Sequence, residues 1–247
     1  MSAIWAKTRQ RQIHFFIKLT QEIEPFESLK EKFSNWNEIP TYGINEIEKI
    51  INHISQIISE TVPNIRGLVL TGGQSTRMGK DKSELYYHGK PQKEFVKNLL
   101  EEEGIKTHYS VQVNNKKEDE IHDVFLNLGP FGGICSAFQK DPNSAWIVLA
   151  TDLPFLDKNL IKLLLEKRNP AKVATAVIGK GKQFPEPLIT IYEPKAYSIL
   201  LQYLAQGYSC PRKMLINSDI EILEVDDNLI QNINTPEEYT AAIKELN

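Results

Sequence analysis

The sequence predicts an α/β protein, and three observations carry the prediction. Short apolar runs that read as strands alternate with longer stretches whose apolar residues recur at three- and four-residue steps, the period of a helix. Glycine-rich turns, Gly72-Gly73 and Gly132-Gly133, stand at joints between such runs. The apolar run Trp146 to Thr151 ends on an acid, Asp152, and in an open α/β sheet ligands bind outside the carboxyl ends of the strands.

Residues 1–65 read as a small α/β extension. His14 to Leu19 has the pattern of a strand, Pro25 to Trp36 that of a helix opened by proline, and Asn45 to Glu60 that of a second helix. In the second helix Ile47, Ile50, Ile51, Ile54, Ile57 and Ile58 share one apolar face, which is expected to be buried. The basic start (Lys7, Arg9, Arg11, Lys18) reads as the edge of a folded piece rather than a targeting peptide, because a strand pattern begins within it. The stretch is short for an independent domain, so it is expected to be the remnant of a larger α/β domain packed against the rest of the chain.

Residues 66–247 form the second expected domain. Gly67 to Leu70 is a buried strand running into a polar glycine loop. Pro91 opens a helix with Phe95, Val96, Leu99 and Leu100 inward, and Gly104 closes it. Tyr109 to Val113 alternates as a strand, and Lys116 to Asp123, rich in charge, is expected to be a loop. Gly129-Pro130-Phe131-Gly132-Gly133 opens a helix that ends near Asp141-Pro142. After the strand Trp146 to Thr151, Asp157 caps a helix from Lys158 to Lys167, with Leu160, Ile161, Leu164 and Leu165 inward. Strands follow at Val173 to Ile178 and Pro187 to Tyr192, joined by a Gly179-Lys180-Gly181-Lys182-Gln183 loop expected to be solvated. Pro194 to Gln206 is a helix closed by Gly207, and Ile220 to Val225 is the last strand. Thr235 and Glu238 make a capping box with Pro236 at the first helical position, so a final helix starts there.

Composition narrows the function. A chain of 247 residues with 41% hydrophobic residues can bury a substantial core. Its net charge of −3 excludes a general nucleic-acid binder, which needs a basic excess to neutralise phosphates. The ligand should be small. Cys135 and Cys210 are far apart in sequence and form no C-x-x-C pair, which suits a reducing cytoplasm. The histidines, His14, His53, His88, His108 and His122, show no metal-ligand spacing. No apolar run approaches membrane-spanning length, so a soluble cytoplasmic protein is expected.

Chemistry concentrates between Gly67 and Leu85. Paired glycines let the backbone approach a ligand closely and expose N–H groups to an anion, while Arg77, Lys80 and Lys82 supply fixed positive charge. That is the layout of a phosphate loop. It is not a Walker A loop, because five residues separate Gly73 from Gly79 where four are required, and Asp81 follows Lys80 in place of a hydroxyl. The G-x-G-x-x-G dinucleotide fingerprint is absent as well.

The stretch Leu70-Thr71-Gly72-Gly73-Gln74-Ser75-Thr76-Arg77-Met78-Gly79-Lys80-Asp81-Lys82 resembles the L-x-G-G-x-S-x-R-M-G-x-D-K signature of the molybdenum cofactor guanylyltransferases, within the wider group of sugar-nucleotide-type nucleotidyltransferases. It departs from that family's usual sequence at Thr71, where alanine is common. Further elements of the same pattern follow in order: the G-P-x-x-G-I turn at Gly129 to Ile134, D-x-P at Asp152 to Pro154, E-P-L at Glu186 to Leu188, and N-x-N-T-P at Asn232 to Pro236. The resemblance runs from about Arg66 to the C-terminus. It implies a three-layer α/β/α fold with a mostly parallel, mixed sheet of the Rossmann-like nucleotidyltransferase kind.

The implied reaction is attack by the terminal phosphate of molybdopterin, with or without molybdenum, on the α-phosphorus of GTP, with pyrophosphate leaving. On the resemblance, Leu70, Thr71, Gly72, Gly73, Gln74, Ser75 and Lys82 bind the nucleotide together with Asp123, Gly129, Pro130, Gly133 and Asp152. Arg77 and Lys82 offset growing charge, Asp152 ligates Mg²⁺, and Asn232 and Asn234 face the acceptor. The implied partners are GTP and molybdopterin or the molybdenum cofactor, with other cofactor-pathway or molybdoenzyme proteins as further candidates. Guanine is favoured over cytosine because the cytidylyltransferase branch resembles A-G where Gly72-Gly73 stands and lacks the Gly129-Pro130-Phe131-Gly132-Gly133 form. Three alternatives stay open at this point: cytidylyl transfer to the same cofactor, transfer to a sugar or alcohol phosphate, and a non-catalytic GTP-binding module.

Overall fold

A computed structural model describes residues 15–18, 38–71, 82–112 and 117–246. The chain divides into two compact units, Met1–Val62 and Pro63–Asn247.

In the first unit, strand β1 (Phe16–Lys18) pairs in parallel with β2 (Thr41–Gly43), and helix α1 spans Ile47–Thr61. The helix expected at Pro25 to Trp36 lies outside the described residues. Strand β2 was not legible as an element, because three residues ending on glycine are too few to show a period. Phe15, Tyr42 and His53 make an aromatic cluster, with the Tyr42 hydroxyl 2.6 Å from His53 Nδ1. The apolar face of α1 departs from expectation. Ile47, Ile51 and Ile54 are exposed rather than buried.

The second unit is built on a seven-stranded sheet. Its strands are β3 (Ile65–Leu70), β4 (Thr107–Val111), β5 (Glu120–His122), β6 (Ala145–Ala150), β7 (Ala174–Gly179), β8 (Glu186–Tyr192) and β9 (Glu221–Val225). Their spatial order is β5-β4-β3-β6-β8-β7-β9, and only β8 runs against its neighbours. The sheet is thus mostly parallel and mixed, as expected.

Helices cover both faces. Successive side chains of a strand point to opposite sides, so β6 sends Trp146 and Val148 to one core and Ile147 and Leu149 to the other. The first core is roofed by α3 (Pro130–Lys140), α5 (Lys195–Ala205) and α6 (Pro211–Ile216), with Phe131, Ile134, Phe138, Leu200 and Met214 packed inward. The second is roofed by α2 (Gln92–Glu101) and α4 (Lys158–Glu166), which bury Val96, Leu100, Leu160, Ile161 and Leu164. Both faces of β6 are buried, so its six residues are a continuous apolar run and not an alternating one. Helix α7 (Pro236–Leu246) closes the unit.

The local signals behave as their chemistry requires. The Asp157 carboxylate accepts from the Leu160 amide at 2.8 Å, and Gly207 ends α5 with φ 81°. The Thr235 hydroxyl accepts from the Glu238 amide at 3.2 Å, while the Glu238 carboxylate accepts from the Thr235 and Asn234 amides at 3.1 and 2.6 Å. Two elements differ from the sequence reading. Part of the stretch expected to be a loop before Asp123 is the edge strand β5, in which the charged Glu120, paired with Lys117 at 3.3 Å, stands beside the buried Ile121. Helix α6 was also not anticipated: one and a half turns are too short for an apolar period, although Pro211 at its start is a fair signal.

Candidate active site

The sheet brings the chemistry-bearing residues to one edge. Strands β3, β4, β5, β6, β7 and β9 run together and end there, and antiparallel β8 begins there with Glu186. The chain order reverses at β3: β4 and β5 lie to one side and β6 to the other. A crevice outside the carboxyl ends at such a switch point is where open α/β sheets take ligands. The glycine-rich signature follows β3 in the sequence. Gly72, Gly73, Gln74, Ser75 and Arg77 lie outside the described residues, as does the side chain of Lys82, whose backbone opens a 3₁₀ turn at Lys82–Glu84.

On the β3–β4 side a cavity of 340 Å³ is lined by Leu70, Ser110, Asp123, Phe125, Gly129 and Pro130, among others. Four residues implicated in nucleotide binding by the signature's resemblance therefore share one cavity. The Thr71 hydroxyl donates to the Ser110 carbonyl at 2.6 Å, and the Ser110 hydroxyl donates to Asp123 Oδ1 at 2.7 Å. The Asp123 amide donates to the Val111 carbonyl at 2.9 Å, so the carboxylate is anchored through both backbone and side chain. Burial pushes the Asp123 carboxyl above its ordinary range, and the bond from Ser110 opposes this by favouring the charged form.

The helix start in this cavity depends on glycine twice. Gly129 precedes Pro130 with φ 56°, a left-handed backbone that glycine adopts without cost. At Gly133 a Cβ would stand 2.6 Å from Ser110 Oγ and 2.9 Å from Leu70 Cδ2, so α3 approaches β3 and β4 only because no side chain intervenes.

Asp152 sits directly after β6, between this cavity and the other half of the edge. Its carbonyl accepts from the Ile233 amide at 2.8 Å, which ties the Asn232-Ile233-Asn234 segment to the end of β6. Beyond it, a cavity of 390 Å³ is lined by Lys182, Phe184, Glu186, Arg212, Asp227 and Asn232, among others. Arg212 donates to Glu186 at 3.0 Å, and Lys182 pairs with Asp227 at 3.0 Å. Burial pushes the Glu186 carboxyl up; Arg212 opposes the shift, and the charge of Asp152 adds to it. Asp152 and Glu186 therefore feel each other across the edge.

The two asparagines are not equivalent. Asn232 lines the second cavity, whereas the Asn234 amide serves the capping box. Sequence reasoning missed Ser110 and Arg212, and it left Lys182 to solvent. Ser110 had no signal, being one serine within the strand expected at Tyr109 to Val113; Arg212, directly behind the helix-opening Pro211, could have been found.

Among the described residues, no group of three or more His, Cys, Asp and Glu side chains is arranged to hold a metal ion. His88 Nε2 lies 2.8 Å from the Pro154 carbonyl and its ring stacks on Phe95, while His122 Nε2 lies 2.9 Å from the Gln112 carbonyl. These rings are occupied structurally. Among the described residues, no helix is long and apolar enough to cross a membrane.

Residues 67–220 match the family model of the MobA-like NTP transferase domain. A molybdenum cofactor biosynthesis bifunctional protein of Synechocystis sp. is 31% identical over 180 residues, covering 70% of this chain and 52% of that protein, so the chain spans about half of that relative's length. A molybdenum cofactor guanylyltransferase of Xanthomonas euvesicatoria is 30% identical over 186 residues, covering 72% of this chain and 94% of the relative. Among solved structures, molybdopterin-guanine dinucleotide biosynthesis protein A of Archaeoglobus fulgidus superposes with a TM-score of 0.60 at 25% identity, over 73% of this chain and 97% of the other. A CMP:2-keto-3-deoxy-manno-octonic acid synthetase complexed with CTP, at 14% identity and a TM-score of 0.53 over 74% of this chain and 98% of that one, shares the fold. The chain belongs to the family of MobA-like NTP transferase domains and is a nucleotidyltransferase.

Proposed function

We propose that the chain transfers GMP from GTP to the terminal phosphate of molybdopterin or the molybdenum cofactor, in the cytoplasm, releasing pyrophosphate and forming the guanine dinucleotide. The observation that carries this reading is the order of the edge: Asp152 follows β6, a strand that lies in the sheet between the elements lining one cavity with Leu70, Asp123 and Gly129 and those lining the other with Lys182, Arg212 and Asn232. A donor nucleotide and an acceptor phosphate would meet over the end of β6.

Such a transfer needs no protein nucleophile. It needs two mutually repelling anions held in line, with charge on the oxygens around phosphorus stabilised. The signature loop, with Gly72 to Ser75, Arg77 and Lys82, takes the triphosphate. The base enters the first cavity, where Asp123 offers an acceptor to the N–H groups of guanine. Arg212 and Lys182 bring positive charge to the acceptor phosphate, and Asn232 adds an uncharged donor and acceptor beside them.

The residues at the edge fit Mg²⁺. That ion is held by one or two carboxylates together with substrate phosphates, and Asp152 supplies a hard oxygen whose charge already acts on neighbouring Glu186. Held there by Asp152, Mg²⁺ would supply positive charge to offset the negative charge that develops as pyrophosphate departs.

The test is turnover of the purified chain with Mg²⁺, molybdopterin and GTP, CTP or ATP, following pyrophosphate and the dinucleotide product. GTP should be preferred, and Asp152→Asn should lower turnover by about a hundredfold or more. A preference for CTP, or turnover with sugar 1-phosphates in place of molybdopterin, would refute the reading.

A further inference from the structure

Ser110 is a buried serine on β4, 2% exposed, that touches three residues of the nucleotide side at once. Its carbonyl accepts from the Thr71 hydroxyl at 2.6 Å. Its own hydroxyl donates to Asp123 Oδ1 at 2.7 Å. The same oxygen stands where a Cβ on Gly133 would come within 2.6 Å, so the glycine of the α3 turn is what leaves room for it. A buried hydroxyl costs free energy unless it is hydrogen-bonded, and this one is satisfied by the single carboxylate lining the 340 Å³ cavity.

We propose that Ser110 is a positioning residue for base selection: by occupying one oxygen of Asp123 it fixes the carboxylate and leaves the other oxygen to accept from a guanine edge. The inference rests on the reading of this cavity as the base site. Guanine presents N1–H and the exocyclic N2 amine side by side, two donors that the two lone pairs of that one remaining oxygen accept together. Adenine and cytosine place a ring acceptor beside their amino group, and that acceptor would face the same negative charge. Selection therefore requires Asp123 to be both charged and held in place. The backbone bond to Val111 places the residue, but only the hydroxyl of Ser110 fixes its side chain among the bonds described.

The experiment measures equilibrium binding of GTP, ITP, ATP and CTP, each with Mg²⁺, to the wild-type chain, Ser110→Ala, Asp123→Asn and the double variant. ITP lacks only the exocyclic amine, so the GTP-to-ITP ratio reads the contact directly. Ser110→Ala should weaken GTP about tenfold, the size expected for a lost hydrogen bond to a charged group, and shrink the GTP-to-ITP ratio while leaving CTP unchanged. In the Asp123→Asn background the same change should add little, because the two residues act as a unit. An equal loss for all four nucleotides, or additive losses in the double variant, would mean that Ser110 merely supports the fold, and the proposal falls. If Asp123→Asn loses selectivity but Ser110→Ala does not, the base site stands and the role of Ser110 is overturned. A wild-type chain with no preference for GTP overturns both. Should Ser110→Ala not fold, Ser110→Cys carries the test: as a weaker donor its GTP-to-ITP ratio should fall below the wild-type value, and an unchanged ratio overturns the proposal.

Discussion

The Ile233 amide donates to the Asp152 carbonyl oxygen at 2.8 Å, so the segment bearing Asn232 is fastened to the turn that follows the central apolar strand. Ile233 is only 1% exposed and packs with Leu85, Tyr87 and Ala242. Its side chain anchors the segment and its backbone aims it. Truncation to alanine should therefore cost stability and also loosen the acceptor side. Ile233→Ala is expected to lose about 3 kcal/mol in urea unfolding, and Ile233→Val about 1 kcal/mol. At temperatures where it remains folded, Ile233→Ala should also show a raised KM for the acceptor. An unchanged KM would mean that the position of Asn232 does not depend on this anchor.

Glu186 and Arg212 give a pH signature. Burial raises the Glu186 carboxyl above its ordinary value of 4.5, with Arg212 holding it down and Asp152 pushing it up. A carboxyl raised in the folded state contributes stability that is present below its unfolded value and lost as pH rises through the folded one. Removing the cation raises it further. Arg212→Met should therefore lose progressively more stability relative to the wild type as pH rises from 4 to 7, because losing the cation penalises only the charged form of the carboxyl. Urea titrations at the two pH values measure the difference. Equal losses would show that Arg212 contributes packing rather than charge.

What could be read from the letters and what could not divides along physical lines. Strand β6 and helix α4 were legible because burial on both faces, or on one helical face, writes itself as a run or a period, and Asp157 marks the helix start chemically. Residue Asp152 was legible because a strand's end is a place the chain defines locally. The side-by-side placement of Asp123 and Ser110 was not, since it comes from the parallel pairing of β4 with β5, and β5 is three residues at a charged edge. The second cavity was hidden for a similar reason. It gathers Lys182, Glu186, Arg212 and Asn232 from separate loops and element ends, and no spacing in the sequence records that they meet.

Gly133 should tolerate no side chain. An alanine there would bring its Cβ to 2.6 Å from Ser110 Oγ and 2.9 Å from Leu70 Cδ2, so either α3 shifts or Ser110 turns away from Asp123. The expected cost is about 1–3 kcal/mol from overpacking, with weaker GTP binding beside it. At Gly129 a Cβ meets nothing within 4 Å, and the cost comes from φ 56° alone. Gly129→Ala should lose about 1–3 kcal/mol. Thermal unfolding of both variants, with GTP titrations on each, separates the crowded site from the strained one.

The last expectation concerns the frame that holds the edge in place. The Arg168 guanidinium donates to both oxygens of Glu193, at 2.7 and 2.9 Å, and the two side chains are 9% and 1% exposed. Arg168 follows α4 and Glu193 follows β8, so the pair joins a covering helix to the one antiparallel strand of the sheet. A bidentate pair out of water has good geometry, yet desolvation offsets much of its attraction, and its replacement by apolar residues of similar size is often nearly neutral. Breaking it on one side is different, because a buried carboxylate is left without its cation. Arg168→Met is expected to lose about 3–5 kcal/mol, whereas Arg168→Met combined with Glu193→Leu should recover most of that loss. Chemical denaturation of the single and double variants decides between the two roles. Recovery in the double variant identifies the cost as an unpaired charge; an equal or larger loss means that the hydrogen-bonded geometry itself holds β8, and with it Glu186, in register.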